Sequence, residues 1–113
     1  MIGSVLIEKN KEIAPSIYEM IILSKEISEE GFPGEFVNLY LNDGEHLLPR
    51  PISICEVDKE NHRVRLVYAV VGKGTGIISK EKEGDKIKVM GPLGNGFRIG
   101  RNEDRNVVIG GGI

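Results

Sequence analysis

The chain has one cysteine, no tryptophan, and only three tyrosines and three phenylalanines, so aromatic residues make up 5% of its 113 positions. A single cysteine, Cys55, excludes an internal disulfide and any cysteine-held metal cluster within these residues. It follows Ile54 in a predicted strand and reads as a small core residue rather than a reactive thiol. Charge of one sign is also missing: 15 Lys and Arg stand against 17 Asp and Glu, and the formal net charge of −2 gives no pull toward nucleic acid or an anionic membrane. No apolar run approaches the ~20 residues that span a bilayer. Met1-Ile2-Gly3-Ser4-Val5-Leu6-Ile7-Glu8-Lys9 shows neither the basic start nor the apolar stretch of a signal segment, so a cytoplasmic location is expected. The two histidines, His46 and His62, fall in predicted turns and are expected to be solvated rather than metal-bound. Glu26, Glu29 and Glu30 read as a solvated face.

What is present is aliphatic. Hydrophobic residues make up 40% of a chain long enough to bury a modest core as one domain. The pattern period is mostly two. Strands are expected over residues 3–9, 16–24, 36–41, 52–57, 63–70 and 86–90, separated by turn clusters such as Asn42-Asp43-Gly44, Asp58-Lys59-Glu60-Asn61 and Lys82-Glu83-Gly84-Asp85. Many short strands with such spacing suggest an antiparallel barrel or sandwich. Residues 16–30 also fit a helical period through Tyr18, Ile21, Ile22 and Lys25, but Pro15 and the run Ile21-Ile22-Leu23 favour a strand. The one helix expected is short and follows Thr75.

Two motifs carry chemistry. In Leu48-Pro49-Arg50-Pro51-Ile52-Ser53-Ile54 the prolines restrict the backbone on either side of Arg50, so a guanidinium able to grip phosphate oxygens bidentately is presented from a strand entry. Strand alternation puts Arg50 and Ser53 on opposite faces unless the chain bends at the proline pair. In Val71-Gly72-Lys73-Gly74-Thr75-Gly76 the glycines allow close approach of a ligand, free amides at a helix start favour an anion, and Thr75 is the expected N-cap or phosphate-contacting hydroxyl. It is no Walker loop, since Lys73 is followed by Gly74. Taken alone, the same glycines also fit an ordinary hairpin turn.

Phe32-Pro33-Gly34-Glu35-Phe36-Val37, Arg50 to Ser53, Val71 to Thr75 and Gly91-Pro92-Leu93-Gly94-Asn95-Gly96-Phe97 occur in an order and spacing that resembles the dihydroorotate dehydrogenase electron-transfer branch of the ferredoxin reductase superfamily of flavoproteins. The resemblance spans most of the chain. It implies a mostly β fold, a six-stranded antiparallel Greek-key barrel of the FAD-binding type, over residues 1–100. It also implies that Arg50 contacts the FAD pyrophosphate and that Ser53 hydrogen-bonds the isoalloxazine, with Pro51 and Ile52 completing that motif. Val67, Tyr68 and Ala69 would touch the flavin mainly through backbone, and Gly74 and Thr75 would cradle the phosphates. The Gly91 to Phe97 loop would be architectural. Many relatives carry an aromatic at the position of Ile52 to stack on the flavin; here stacking would fall to Tyr68, whose plainer reading is a core aromatic.

Asn106-Val107-Val108-Ile109-Gly110-Gly111-Gly112-Ile113 reads as a buried parallel strand entering a glycine-rich turn. Residues 101–113 are therefore expected to be a linker and the first strand of an NAD-binding α/β domain cut at the junction, with the NAD site and a 2Fe-2S cluster in the part that would follow. The implied activity of the intact protein is an electron relay. An FMN-containing dihydroorotate dehydrogenase catalytic subunit, its partner in a heterotetramer, would pass electrons through the cluster and FAD to NAD in pyrimidine biosynthesis. The small flavoprotein subunits of ferredoxin-NAD(P) transhydrogenases and sulfide dehydrogenases share these motifs, and a cofactor-free barrel binding module is the alternative outside the superfamily.

Overall fold

In a computed structural model, residues 1–42 and 47–94 are described. Six strands and two short helices follow one another as β1 (Ile2–Ala14), β2 (Ile17–Leu23), α1 (Lys25–Glu30), β3 (Phe36–Asn42), β4 (Leu47–Asp58), β5 (Arg63–Ala69), α2 (Lys73–Ser79) and β6 (Lys86–Leu93). The strands close into an antiparallel barrel in the order β1-β2-β5-β4-β3-β6, a Greek-key path in which β5 comes back to lie between β2 and β4. The six expected barrel strands are all present, several of them longer than their periodicity suggested. His46, the end of the Gly91 to Phe97 loop and the segment 101–113 lie outside the described residues.

Two expectations about helices need correcting. The stretch 16–30 is a strand only as far as Leu23; Ser24 then starts a helix, its Oγ accepting from the Ile27 N–H at 3.2 Å. A serine three residues ahead of an apolar position, with Glu26 in the first turn, is enough to start the turn. The described residues thus hold two short helices rather than one. In α2 the N-cap is Gly72 and Thr75 sits in the third helical position, so the expected capping role shifts by one turn. The glycine segment is also no hairpin: it starts the helix that links β5 to β6.

The core is aliphatic. Ile7, Met20, Ile22, Val37, Leu39, Ile54, Val64, Leu66 and Val89 alternate inward from six strands, and Ile27 and Ile78 plug the barrel from α1 and α2. Cys55 is not in this core. Ile52 and Ile54 take the inward positions of β4, and a bulge between Ile54 and Glu56 leaves Cys55 exposed, with its Sγ 3.0 Å from Arg65 Nη1. Glu26, Glu29 and Glu30 are exposed as expected. His62 does sit in a turn, but it is half-buried rather than solvated: its carbonyl accepts from the Ser24 N–H and its Nδ1 is enclosed.

Glu19 is a buried carboxylate on the barrel wall. Glu19 accepts from Lys9 Nζ at 2.8 Å and Arg65 Nε at 2.6 Å, and these two cations hold its pKa below the usual glutamate value of 4.5. A group with a depressed folded-state pKa contributes in full above its unfolded value and loses that contribution as pH falls through the folded one. Melting temperatures measured down a pH series are expected to fall below about pH 4.5, and Glu19→Gln is expected to be less stable at neutral pH with a flatter acid limb. An acid limb unchanged by the substitution would show that Glu19 does not set it.

Candidate functional site

The barrel is not fully laced. β4 pairs with β3 from Asn42↔Leu47 to Phe36↔Ser53, and β5 pairs with β2 from Leu23↔Arg63 to Ile17↔Ala69. Between β4 and β5 the ladder stops at Ile54↔Leu66. Past that rung the two strands part. Residues 51–53 and 67–69 each keep one partnered edge and turn the other toward a gap, so alternate backbone N–H and C=O groups face it without a strand partner. The gap is a cleft of about 250 Å³ lined by Pro51, Ile52, Ser53, Val67, Tyr68, Ala69, Val71 and Thr75. Seven of the expected site residues therefore meet in one place. Val71, the first residue of the glycine motif but not one of the expected site residues, joins them; at 84% exposure it stands at the mouth.

Arg50 and Gly74 lie beside this cleft and against each other. A Cβ added to Gly74 would meet Arg50 Nε, and would lie 2.9 Å from both Cζ and Nη2. Only glycine leaves room for the guanidinium at this point on α2. Arg50 Nη1 donates to the Pro49 carbonyl at 3.0 Å, and no carboxylate pairs with it among the described residues. The proline pair produces no bend: burial alternates without interruption from Leu48 to Cys55, so Ser53 faces outward to the cleft while Arg50 turns to α2. Thr75 Oγ1 accepts from the Val71 and Gly72 N–H groups at 3.0 and 3.2 Å, pinning the turn into α2. The first-turn amides of Lys73, Gly74 and Thr75 have no acceptor within the helix.

Tyr68 forms the inner wall. Its ring stacks on Tyr18 with centroids 5.7 Å apart, and its hydroxyl donates to Asn10 Oδ1 at 2.8 Å. Burial pushes its pKa up to about 12, the Asn10 hydrogen bond opposing the rise. It is a core aromatic that also walls the cleft. Ile52 points inward and is buried, leaving its backbone to face the gap. The Phe32 to Phe36 motif is a clip on β4: Gly34 N donates to the Ile54 carbonyl at 3.1 Å, Ile54 N to the Glu35 carbonyl at 2.7 Å, and the Glu35 carboxylate accepts from Phe32 N at 2.7 Å. It holds the strand at its last rung before the gap. At the far end, Gly91 packs so closely on Val37 that a Cβ would lie 2.8 Å from its Cγ1, and Gly94, with φ +87°, lies against the Phe36 ring. Among the described residues no His, Cys, Asp and Glu cluster could hold a metal, and no helix is long and apolar enough to cross a membrane.

No family model matches the chain. The electron transfer subunit of dihydroorotate dehydrogenase B (NAD(+)) from Fusobacterium nucleatum is 42% identical over 110 residues, 95% of this chain and 42% of that protein. The subunit of the same name from Streptococcus pneumoniae is 45% identical over 105 residues, 91% of this chain and 41% of that protein. This chain is their homologue. It spans about two-fifths of the length of these dihydroorotate dehydrogenase B relatives. Among solved structures, the NADH-dependent reduced ferredoxin-NADP oxidoreductase studied for flavin-based electron bifurcation superposes with a TM-score of 0.76 at 36% identity, covering 83% of this chain and 34% of that one. The barrel is thus of the ferredoxin-reductase FAD-binding type, as its motifs implied, and its homology to the dihydroorotate dehydrogenase B subunits runs through most of it.

Proposed function

We propose that this chain is the FAD-binding part of the electron-transfer subunit of an NAD-dependent dihydroorotate dehydrogenase. In the whole protein it would work in the cytoplasm beside an FMN-containing catalytic subunit, with the 2Fe-2S cluster and the NAD site in a further domain begun by residues 101–113. The observation that carries this reading is the unlaced stretch between β4 and β5. A flavin ring presents donors and acceptors along its edge, and the free backbone groups of residues 51–53 and 67–69 are arranged as two facing edges that such a ring can bridge. The cleft is smaller than the ~300–1,000 Å³ typical of sites that enclose a whole ligand, so it would take the ring and leave the pyrophosphate outside. There Arg50 and the first-turn amides of α2 supply the positive side.

FAD, when bound, would supply the redox chemistry, exchange between single electrons and a hydride. The chain's own residues do the holding. Ser53 would donate to the ring from the outer face of β4, and the backbone of Val67, Tyr68 and Ala69 would line its other edge. Arg50 would bind the pyrophosphate, with Gly74 leaving it room and Thr75 fixing the turn that presents the amides. The 36% identity to the ferredoxin-NADP oxidoreductase favours one second reading, the small flavoprotein subunit of a ferredoxin-linked transhydrogenase, which would use the same cleft. The identity of the neighbouring gene separates the two. A cofactor-free module would have no use for an open ladder beside an arginine packed on a glycine.

Because the cationic side of the site lies outside the ring cleft, FAD is expected to bind in preference to FMN, which has no pyrophosphate. Titration of the apo-chain with both flavins, followed by quenching of flavin fluorescence, measures this. Equal affinities would remove the pyrophosphate assignment, and no binding of either would remove the flavin reading.

A further inference from the structure

Asn10 belongs to no motif, yet its carboxamide joins three elements. Its Oδ1 accepts from the Tyr68 hydroxyl at 2.8 Å, and its Nδ2 donates to the Ile78 carbonyl at 3.0 Å and the Glu81 carbonyl at 2.9 Å. One side chain of β1 thus ties the inner wall of the cleft to the C-terminal end of α2. That helix has seven residues, too few to persist without tertiary support, and only Gly74 and Ile78 of it are buried. Its place relative to the cleft rests on the Ile78 side chain with the half-buried Ile77 beside it, on Arg50 packed against Gly74, and on the two bonds from Asn10. The barrel itself is held by the ladders of its six strands, the gap between β4 and β5 aside, and does not need this link.

We propose that Asn10 is a positioning residue for the flavin site, fixing α2 against the Tyr68 wall so that the ring cleft and the first turn beside Arg50 are set in register before ligand arrives. The inference rests on the flavin reading for its ligand, and on the hydrogen-bond geometry alone for its effect on α2. Neither donation can be replaced by an apolar side chain of the same shape, and aspartate keeps the acceptor for Tyr68 while losing both donors.

The test is Asn10→Leu, with Asn10→Asp as the second variant should the first fail to fold, in the 113-residue chain. Amide hydrogen exchange of residues 76–80 in the apo-chain is expected to speed up by roughly tenfold while β2 and β5 keep their protection, the loss of two modest hydrogen bonds acting locally. FAD affinity is expected to fall by roughly tenfold in the same variants. Tyr68→Phe, which leaves the bonds to Ile78 and to Glu81 just past α2 in place, should keep α2 protected. Unchanged exchange in α2, or equal loss of protection across the whole barrel, would overturn the proposal. So would a loosened α2 with FAD affinity intact. If the unsubstituted chain binds no flavin, the function reading fails by itself, and the exchange data still decide whether Asn10 anchors the helix.

Discussion

Arg50→Ala is expected to weaken FAD binding by about tenfold to hundredfold and to leave the melting curve of the apo-chain in place, since a hydrogen bond to a charged group is worth about 1.5–3 kcal/mol. The side chain is half-buried and, among the described residues, its one bond is to its neighbour's carbonyl, so little of the described barrel depends on it. Gly74→Ala approaches the same contact from the other side. Its new methyl would occupy the space of the guanidinium. The arginine end is flexible and would swing away at little cost, while alanine in a helix is favoured over glycine by about 0.8–1 kcal/mol. This variant is therefore expected to be as stable as the parent or slightly more so, and still to bind FAD more weakly. The double variant should lose no more than either single one, because both remove the same contact. Fluorescence titrations and apo melting curves of the four proteins complete the cycle. Fully additive losses would mean that Arg50 and Gly74 act on the ligand by separate routes, and a sharp fall in apo stability for Arg50→Ala would make it a structural residue.

Leu66→Ala is expected to cost about 2–5 kcal/mol, the usual range for deleting a leucine side chain from a packed core. Leu66 is fully buried and sits on the last rung before the gap, opposite Ile54 on β4 and Met20 on β2. Set against a total stability of about 5–15 kcal/mol, the loss is large, and at about 4–8 °C per kcal/mol a melting point lower by about 10 °C or more follows. Ile13→Ala, at a position 44% exposed near the tip of β1, should change stability by less than about 0.5 kcal/mol. Thermal unfolding of the two variants side by side gives the comparison. A Leu66 variant as stable as the Ile13 variant would show that the barrel does not depend on packing at that rung.

Much of this was legible in the sequence because strand periodicity is local. The alternation of Arg63 to Ala69 reads directly as one face in and one face out, and the structure buries Val64, Leu66 and Tyr68 accordingly. The helix after Ser24 was obscured by the β-branched run before it, although the serine cap was there to be read. Cys55 was misplaced because adjacency to Ile54 says nothing about parity: the neighbour of an inward residue faces out, and the bulge adds an unpaired position there. Arg50 and Gly74 were each singled out, but their mutual contact depends on where α2 packs on β4, which no spacing rule encodes. Asn10 was invisible for the same reason, its partners Tyr68, Ile78 and Glu81 being distant in the chain. The gap between β4 and β5 is a relation between strands rather than a property of either one.

If FAD seats there as proposed, that gap would give the chain a dependence on nutrition. A strand edge left without a partner invites other chains to supply one, and it is where a barrel opens first to proteases. With FAD seated between residues 51–53 and 67–69 as proposed, the edges are covered, and at a ligand concentration of 100 times Kd the folded state gains about 2.7 kcal/mol. Copies made while flavin is scarce would then be the ones lost to aggregation and degradation. The amount of this protein in a cell would track its vitamin supply even with transcription held constant.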